Sequence, residues 1–188
     1  MLKKILILSL LLGSGAAYAQ VAPSVRGGNS TLWVGGEFAS LNSDYDPRTR
    51  IIGPGVNVVF NFTPKIGVIG ELRWLHWNGT DSQTQSDYLG GVKYTFLRFH
   101  RFSFNAKFVL GGVWIKYPVV ATGGSTGSYF AYAPGGYADY RVSRRFSVSG
   151  GYEYQFLPSA PGFFGYPSNG LTPHGFSVGV NYRILGVR

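Results

Sequence analysis

The residues of this chain whose types could run acid–base or nucleophilic chemistry are His76, His100, His174 and Ser177. A serine nucleophile needs a base within hydrogen-bond reach and an acid that orients the base. His174 and Ser177 are an odd number of positions apart, so in an extended strand their side chains point to opposite faces. His100 stands in a tight segment between Arg98 and Arg101, where a head group or plain solvent is its natural contact. His76 shares the phase of Trp74, an interfacial position. These spacings assemble no catalytic set, and no catalytic residue is assigned. Asp44 and Asp46 have a spacing that could meet a divalent ion, but the calcium-loop pattern is missing around them. They read as a polar turn, so neither a metal nor a cofactor is expected. Asn78-Gly79-Thr80 matches a glycosylation acceptor by letter and reads as a turn.

A second set of reactive types is charged and follows a different rule. Glu37, Glu71, Arg73, Lys93, Lys107, Asp139, Arg141, Glu153 and Arg183 all fall on the polar side of segments that alternate apolar and polar residues. In the segment from Phe146 to Phe156, the residues Phe146, Val148, Gly150, Tyr152, Tyr154 and Phe156 interleave with Ser147, Ser149, Gly151, Glu153 and Gln155. A period of two places the first set on one face of a strand and the second on the other. Both signs of charge are present in near balance on the polar faces. Such charges belong together inside a narrow space only if they pair and hydrogen-bond with one another. They are expected to form a lumenal ion-pair network, with Glu71, Glu153 and Glu37 paired to Arg73, Lys107, Arg141 or Arg183.

The elements that must hold them are strands. Eight strand-like segments are expected at 31–41, 51–62, 65–77, 86–97, 101–116, 128–142, 145–157 and 172–184. Helix fails as the alternative, because glycine pairs such as Gly90-Gly91 and Gly111-Gly112 interrupt nearly every segment, at about 1 kcal/mol for each glycine in a helix interior. The connections alternate in length. Thr63-Pro64-Lys65, Arg98-Phe99-His100 and Ser143-Arg144 are short; Leu41–Arg50, Asn78–Gln85, Tyr117–Gly127 and Pro158–Leu171 are long and rich in turn formers. Short turns on one rim and long loops on the other are the pattern of an outer-membrane barrel. The apolar faces carry no central charge, and their aromatics gather at the ends. Phe60, Phe62, Tyr94, Phe96, Phe102, Phe104, Tyr140, Phe146 and Tyr182 lie near the short turns. Trp74, Trp114, Phe130, Tyr132, Tyr154 and Phe156 lie near the long loops. Two aromatic girdles around an aliphatic band suit a barrel in lipid. The soluble lipocalin-type alternative would crowd those rings into one small lumen and leave glycine and serine outside.

The ends and the composition agree. Lys3 and Lys4, the apolar run from Ile5 to Leu12 and the exit Ala17-Tyr18-Ala19 have the layout of a signal peptide over 1–19, cut before Gln20. Residues 20–30 are then a periplasmic lead-in and 31–188 the barrel. The chain has no cysteine, so no disulfide framework is available. The net charge of +9 is scattered over strand ends and polar faces without a basic helix or compact patch. That excludes a nucleic-acid partner and points to lipid head groups instead. Arg98, Arg101, Arg144 and Arg145 are the expected phosphate contacts.

The chain resembles the OmpA-like outer-membrane β-barrel domain family. The resemblance covers about 31–184 and is carried by the strand–turn–strand step Asn61-Phe62-Thr63-Pro64-Lys65-Ile66-Gly67-Val68 and by Val178-Gly179-Val180-Asn181-Tyr182-Arg183, which looks like a final barrel strand. It implies an all-β, eight-stranded antiparallel up-and-down transmembrane barrel, monomeric, with membrane lipid, lipopolysaccharide and the barrel-assembly machinery as partners. The sequence runs only a few residues past the last strand, so wall anchoring through a peptidoglycan-binding domain is not expected. Members commonly finish on an aromatic residue; here Tyr182 is followed by Arg183 to Arg188. The expected role is structural, in envelope integrity or surface interaction, in a Gram-negative-type outer membrane. A narrow ion or solute channel is the first alternative, and a lipid-modifying enzyme of the kind this barrel size also supports is the second. Loop segments Gly123–Gly127 and Pro161–Pro167 are the candidate recognition surface.

Overall fold

A computed structural model describes residues 30–44, 50–77, 83–117, 126–160 and 170–186. The signal-like segment, Asp46, Asn78-Gly79-Thr80, the segment 161–167 and most of the loop 117–127 lie outside these. Eight strands follow in chain order: β1 (Thr31–Asn42), β2 (Arg50–Asn61), β3 (Ile66–Trp77), β4 (Gln83–Phe99), β5 (Phe102–Lys116), β6 (Thr126–Arg141), β7 (Phe146–Tyr154) and β8 (His174–Leu185). Each pairs antiparallel with its sequence neighbours, and β1 pairs with β8, so the sheet closes into a barrel without an edge. Closure removes the unpaired strand edges that an open sheet exposes.

The two-residue period of the sequence becomes inside and outside. Along β3, Gly67, Ile69, Glu71, Arg73 and Leu75 are buried, while Ile66, Val68, Leu72 and Trp74 are exposed. The exposed face is apolar around the wall, with Val58, Val92, Phe108, Leu110, Val178 and Val180 among its residues. An outer face of this kind is stable against hydrocarbon and costly against water, at roughly 25 cal/mol per Å².

The barrel has two unlike rims. The turn rim carries three tight connections and the start of β1 and end of β8. Two of its turns share one device. Thr63 Oγ1 accepts from the backbone N–H groups of Lys65 (3.2 Å) and Ile66 (2.9 Å), and Ser143 Oγ accepts from those of Arg145 (3.2 Å) and Phe146 (3.1 Å). In the third, β4 and β5 pair up to Phe99 and Phe102, so the turn is His100-Arg101 and not the Arg98-Phe99-His100 of the sequence reading. His100 adopts φ 53° there. The loop rim carries the long connections. On it, Asp44 Oδ2 accepts from the Thr172 backbone N–H (3.0 Å) and hydroxyl (2.5 Å), tying the end of the first strand to the approach of the last.

Of the boundaries that differ from the sequence expectation, three have a local reason. Strand β4 begins at Gln83, because β3 extends to Trp77 and offers it a ladder; the polar run Gln83–Ser86 hides this in an apolar-pattern reading. Strand β7 ends at Tyr154. Its next residue faces Pro173, which has no N–H to return, and pairing resumes only as the bridges Tyr132↔Phe156 and Leu157↔Leu171. Strand β8 begins after the same proline, at His174 rather than 172.

Inward glycines make room for inward charges. In register, Gly55 lies between Glu37 and Arg73, and Gly135 between Lys107 and Glu153. A Cβ on Gly55 would stand 2.8 Å from the Leu72 carbonyl oxygen, 2.9 Å from Arg73 Cγ and 3.1 Å from Glu37 Cγ. One on Gly135 would stand 3.0 Å from Glu153 Cβ and 3.1 Å from Lys107 Cε. Outward Gly70 has nothing within 4 Å of that position. Gly55→Ala is therefore expected to lower the unfolding free energy by about 1–3 kcal/mol through overpacking, and Gly70→Ala to change it by less than about 0.5 kcal/mol. Urea unfolding of the two variants side by side checks this; equal effects would contradict it.

Candidate functional site: the filled lumen

Five charged side chains meet at mid-barrel, from β1, β3, β5 and β7. Arg73 Nε donates to Glu37 Oε1 at 2.5 Å, and Arg73 Nη2 to Glu71 Oε2 at 2.8 Å and Glu153 Oε2 at 2.9 Å. Arg73 Nη1 also donates to Glu153 Oε1, so this contact is bidentate. Lys107 Nζ reaches Glu71 Oε1 at 2.5 Å and Glu153 Oε2 at 2.7 Å. Arg73, Glu71, Lys107 and Glu153 thus form a closed ring of alternating charge, with Glu37 attached at the arginine. Arg73 is 0 % exposed and Glu153 2 %. A planar guanidinium with five fixed donors suits this post, since it satisfies three carboxylates at once.

Above the ring, toward the loop rim, the polar set continues through amides. Gln155 Nε2 donates to Glu153 Oε1 (2.9 Å) and Asp87 Oδ2 (3.0 Å), and Gln85 Nε2 donates to Asp87 Oδ1 (2.8 Å) and Gln155 Oε1 (3.0 Å). Asp87, Gln85 and Gln155 are fully buried participants that the sequence reading left out. Their lumenal parity with Leu89 and Glu153 was the signal for them. Beyond them the lumen turns apolar: Leu41, Ile51, Leu75, Ile115 and Leu157 are all 0 % exposed, joined by Tyr117, Ala160 and Leu171. Toward the loop rim the ion pairs give way to two small hydrophobic clusters, with Leu41, Ile51 and Leu75 in one and Ile115, Leu157 and Leu171 in the other, built by inward positions that turn aliphatic where the strands near the loops.

Four members of the expected network lie elsewhere, nearer the turn rim. Lys93 Nζ donates to Asn61 Oδ1 (3.1 Å) and stands 5.9 Å from the centre of the Tyr137 ring. Asp139 accepts from Asn105 Nδ2 (2.9 Å), whose Oδ1 accepts from the Thr95 hydroxyl (2.7 Å). The Arg183 guanidinium lies 5.6 Å from the Trp33 ring centre, and Arg141 is exposed at the strand end. Pairing of Arg141 or Arg183 with the glutamates is thereby corrected. Arg183 is in register with Trp33, four residues along β1 from Glu37, or about 13 Å at the strand rise.

Between the ring and the turn rim lies a cavity of about 110 Å³. Glu37, Glu71, Lys107 and Glu153 form its floor, and its walls include Asn61, Lys93, Tyr137, Asp139 and Asn181. It is large enough for several waters, each needing roughly 10–15 Å³.

All fifteen girdle residues point outward. At the turn rim, Phe102 and Tyr140 have ring centres 4.8 Å apart, Phe146 and Tyr182 5.0 Å, and Phe60 and Phe62 4.9 Å; Tyr94 and Phe96 are exposed beside them. Arg145 Nη1 donates to the Tyr182 hydroxyl at 3.2 Å. At the loop rim Trp74 is 46 % and Trp114 55 % exposed, and Tyr132 stacks on Phe156 at 5.0 Å. Tyr154 stacks on His174 at 5.0 Å and 5°.

The candidate chemistry is dispersed. His174 faces outward while Ser177 faces the lumen. His76 Nδ1 lies 3.2 Å from Thr84 Oγ1, and His100 packs against Phe99 in its turn. Among the described residues no group of three His, Asp or Glu side chains is placed to hold a metal ion.

The wall and filling define a class: a small eight-stranded barrel, apolar outside and polar within, of the build seen in outer-membrane proteins. Solved structures agree on the fold. Neisserial surface protein A matches at TM-score 0.61 with 10% identity, covering 83% of this chain and 97% of that one. OprG of Pseudomonas aeruginosa matches at 0.54 and 12%, covering 85% and 98%. Ail, the attachment invasion locus protein of Yersinia pestis, matches at 0.51 and 14%, covering 84% and 99%. No protein-family model and no curated protein sequence matches the chain.

Removing one member of a buried ion pair strands the others and costs about 3–5 kcal/mol. Arg73→Met, which leaves three carboxylates facing Lys107 alone, is expected to destabilise by that much. Adding Glu37→Gln and Glu153→Gln should restore part of it. Urea midpoints of the single and triple variants check the sign; a triple variant weaker than the single one would contradict the closed-ring description.

Proposed function

We propose that this chain is a monomeric outer-membrane β-barrel with a structural or surface-contact role, without catalytic activity and with a lumen closed to ion flow. The observation that carries the reading is the double closure of the interior beneath an apolar outer band. A buried ion-pair ring crosses the lumen first, and two apolar clusters follow, Leu41, Ile51 and Leu75 in one and Ile115 and Leu157 in the other. Eight strands give an interior just wide enough for side chains to fill. The short-turn rim would face the periplasm and the long loops the exterior, with the two girdles at the lipid interfaces. Arg98, Arg101, Arg144 and Arg145 would then meet inner-leaflet phosphates, and lipopolysaccharide would surround the loop rim. Tyr182 in β8 is the aromatic that the barrel-assembly machinery would read. Of the similar structures, Ail is an attachment invasion locus protein, a precedent for the surface-contact half of this role.

Planar-bilayer recording tests the closed lumen. Little or no steady current is expected from the native chain, and equally little from Arg73→Met, because the apolar clusters remain. Steady conductance from the native barrel would overturn the reading in favour of a channel. Folding itself is checked on a gel, where the unheated barrel should run faster than the boiled one.

A further inference from the structure

The cavity at the turn rim is blind: none of Arg73, Gln85, Asp87, Leu41, Ile51 or Leu75 lines it, and its floor is the ion-pair ring. A blind pocket binds; it does not conduct. Its upper walls are electrically one-sided. Above the floor, the lining holds Lys93, Arg98, Arg101, Arg141 and Arg183 against the single carboxylate of Asp139, and that carboxylate accepts from Asn105.

Lys93 is the informative residue. It is 8 % exposed; its ammonium donates to the neutral Asn61 oxygen at 3.1 Å, lies over the face of the Tyr137 ring and is attracted by the Asp139 carboxylate, which it shares with Arg98 and Arg141. An ammonium has three donors, and a buried cation is stable when an anion or several acceptors complete its shell. Two of the floor glutamates add nothing to that shell, because both oxygens of Glu71 and of Glu153 are taken by Arg73 and Lys107. Beside Lys93, the buried Tyr137 hydroxyl oxygen has no protein partner, and Tyr137 lines the same cavity. Arg141, exposed at the mouth, adds a forked donor of the type that recognises tetrahedral oxyanions.

We infer that the turn-rim cavity is a binding site for a phosphoryl-type oxyanion, held by Lys93 at depth, with the Tyr137 hydroxyl donating beside it and Arg141 at the mouth. The site is entered from the turn rim. Its geometry is the same whichever compartment that rim faces, so it stands independently of the role proposed above. A free phosphate and the phosphate of an anionic lipid share this chemistry.

The test uses the whole chain, 15N-labelled and folded in dodecyl maltoside micelles, titrated with inorganic phosphate at ionic strength held constant with chloride. Saturable amide shifts are expected at residues 93, 137, 141 and their neighbours. Lys93→Met should weaken binding by about tenfold or more, as expected for loss of a charge-assisted hydrogen bond. Arg141→Gln, exposed at the strand end, should weaken it by a smaller factor, and Lys65→Gln in the first turn, exposed and outside the lining, should leave it unchanged. Repeating the titration in nanodiscs separates the sources. If phosphatidylglycerol discs already show the shifted amide positions and phosphate adds nothing, the occupant is a lipid phosphate; if phosphate still titrates as in micelles, it is a free oxyanion. Shifts that grow linearly without saturation, or that are equal in the native chain, Arg141→Gln and Lys65→Gln, would overturn the proposal. Lys93→Met is read only if it keeps the heat-sensitive gel mobility, and Arg141→Gln decides the matter otherwise.

Discussion

Closure of eight strands into one ring is the constraint on which everything else in this molecule depends. A ring of that size encloses a space too narrow for bulk water and wide enough for side chains. Every inward residue must therefore be satisfied by other inward residues. The same closure satisfies the backbone completely, which is the condition for a sheet to face hydrocarbon. From this follow the two faces, the inward glycines and the charged ring. Gly55 and Gly135 are small because Glu37, Arg73, Lys107 and Glu153 must lean across them.

The interior is stratified. At the turn rim a basic cavity with room for several waters is lined by Lys93, Tyr137 and Asp139. At mid-height Arg73 and Lys107 pair with three glutamates, and a buried amide pair, Gln85 and Gln155, hands that network on to Asp87. Toward the loops the filling is aliphatic. The two fillings rest on different interactions, charge pairing at mid-height and apolar packing toward the loops. A protein built this way presents lipid with a wall and the exterior with loops. The cavity below the ion-pair ring lies at the turn rim.

Much of this was legible in the sequence, because a period of two is a strong signal and parity carries through each strand. The faces, the strand number, the short and long connections and the outward aromatics all follow from it. Glu71, Arg73, Lys107 and Glu153 could be placed inside by parity alone. Which charges meet could not, because that depends on the stagger between strands. Arg183 has the parity of the network but is offset by the register of β8 against β1, with a bulge at Leu32/Trp33. Asp87 was lost because it opens a segment whose polar letters resemble a loop. The apolar clusters were missed for the opposite reason: Leu41, Ile51 and Leu75 sit at strand ends, where apolar residues suggest an interface with lipid and only parity shows that they point inward.

The central claim is the assignment of faces, and tryptophan fluorescence in brominated lipid tests it most directly. Trp74 and Trp114 lie on the outer face, while Trp33 faces the lumen beside Arg183. In vesicles of brominated phosphatidylcholine, variants retaining only Trp74 or only Trp114 should be strongly quenched, and one retaining only Trp33 should stay close to its intensity in unbrominated lipid. Quenching of Trp33 with Trp74 and Trp114 left bright would contradict the account.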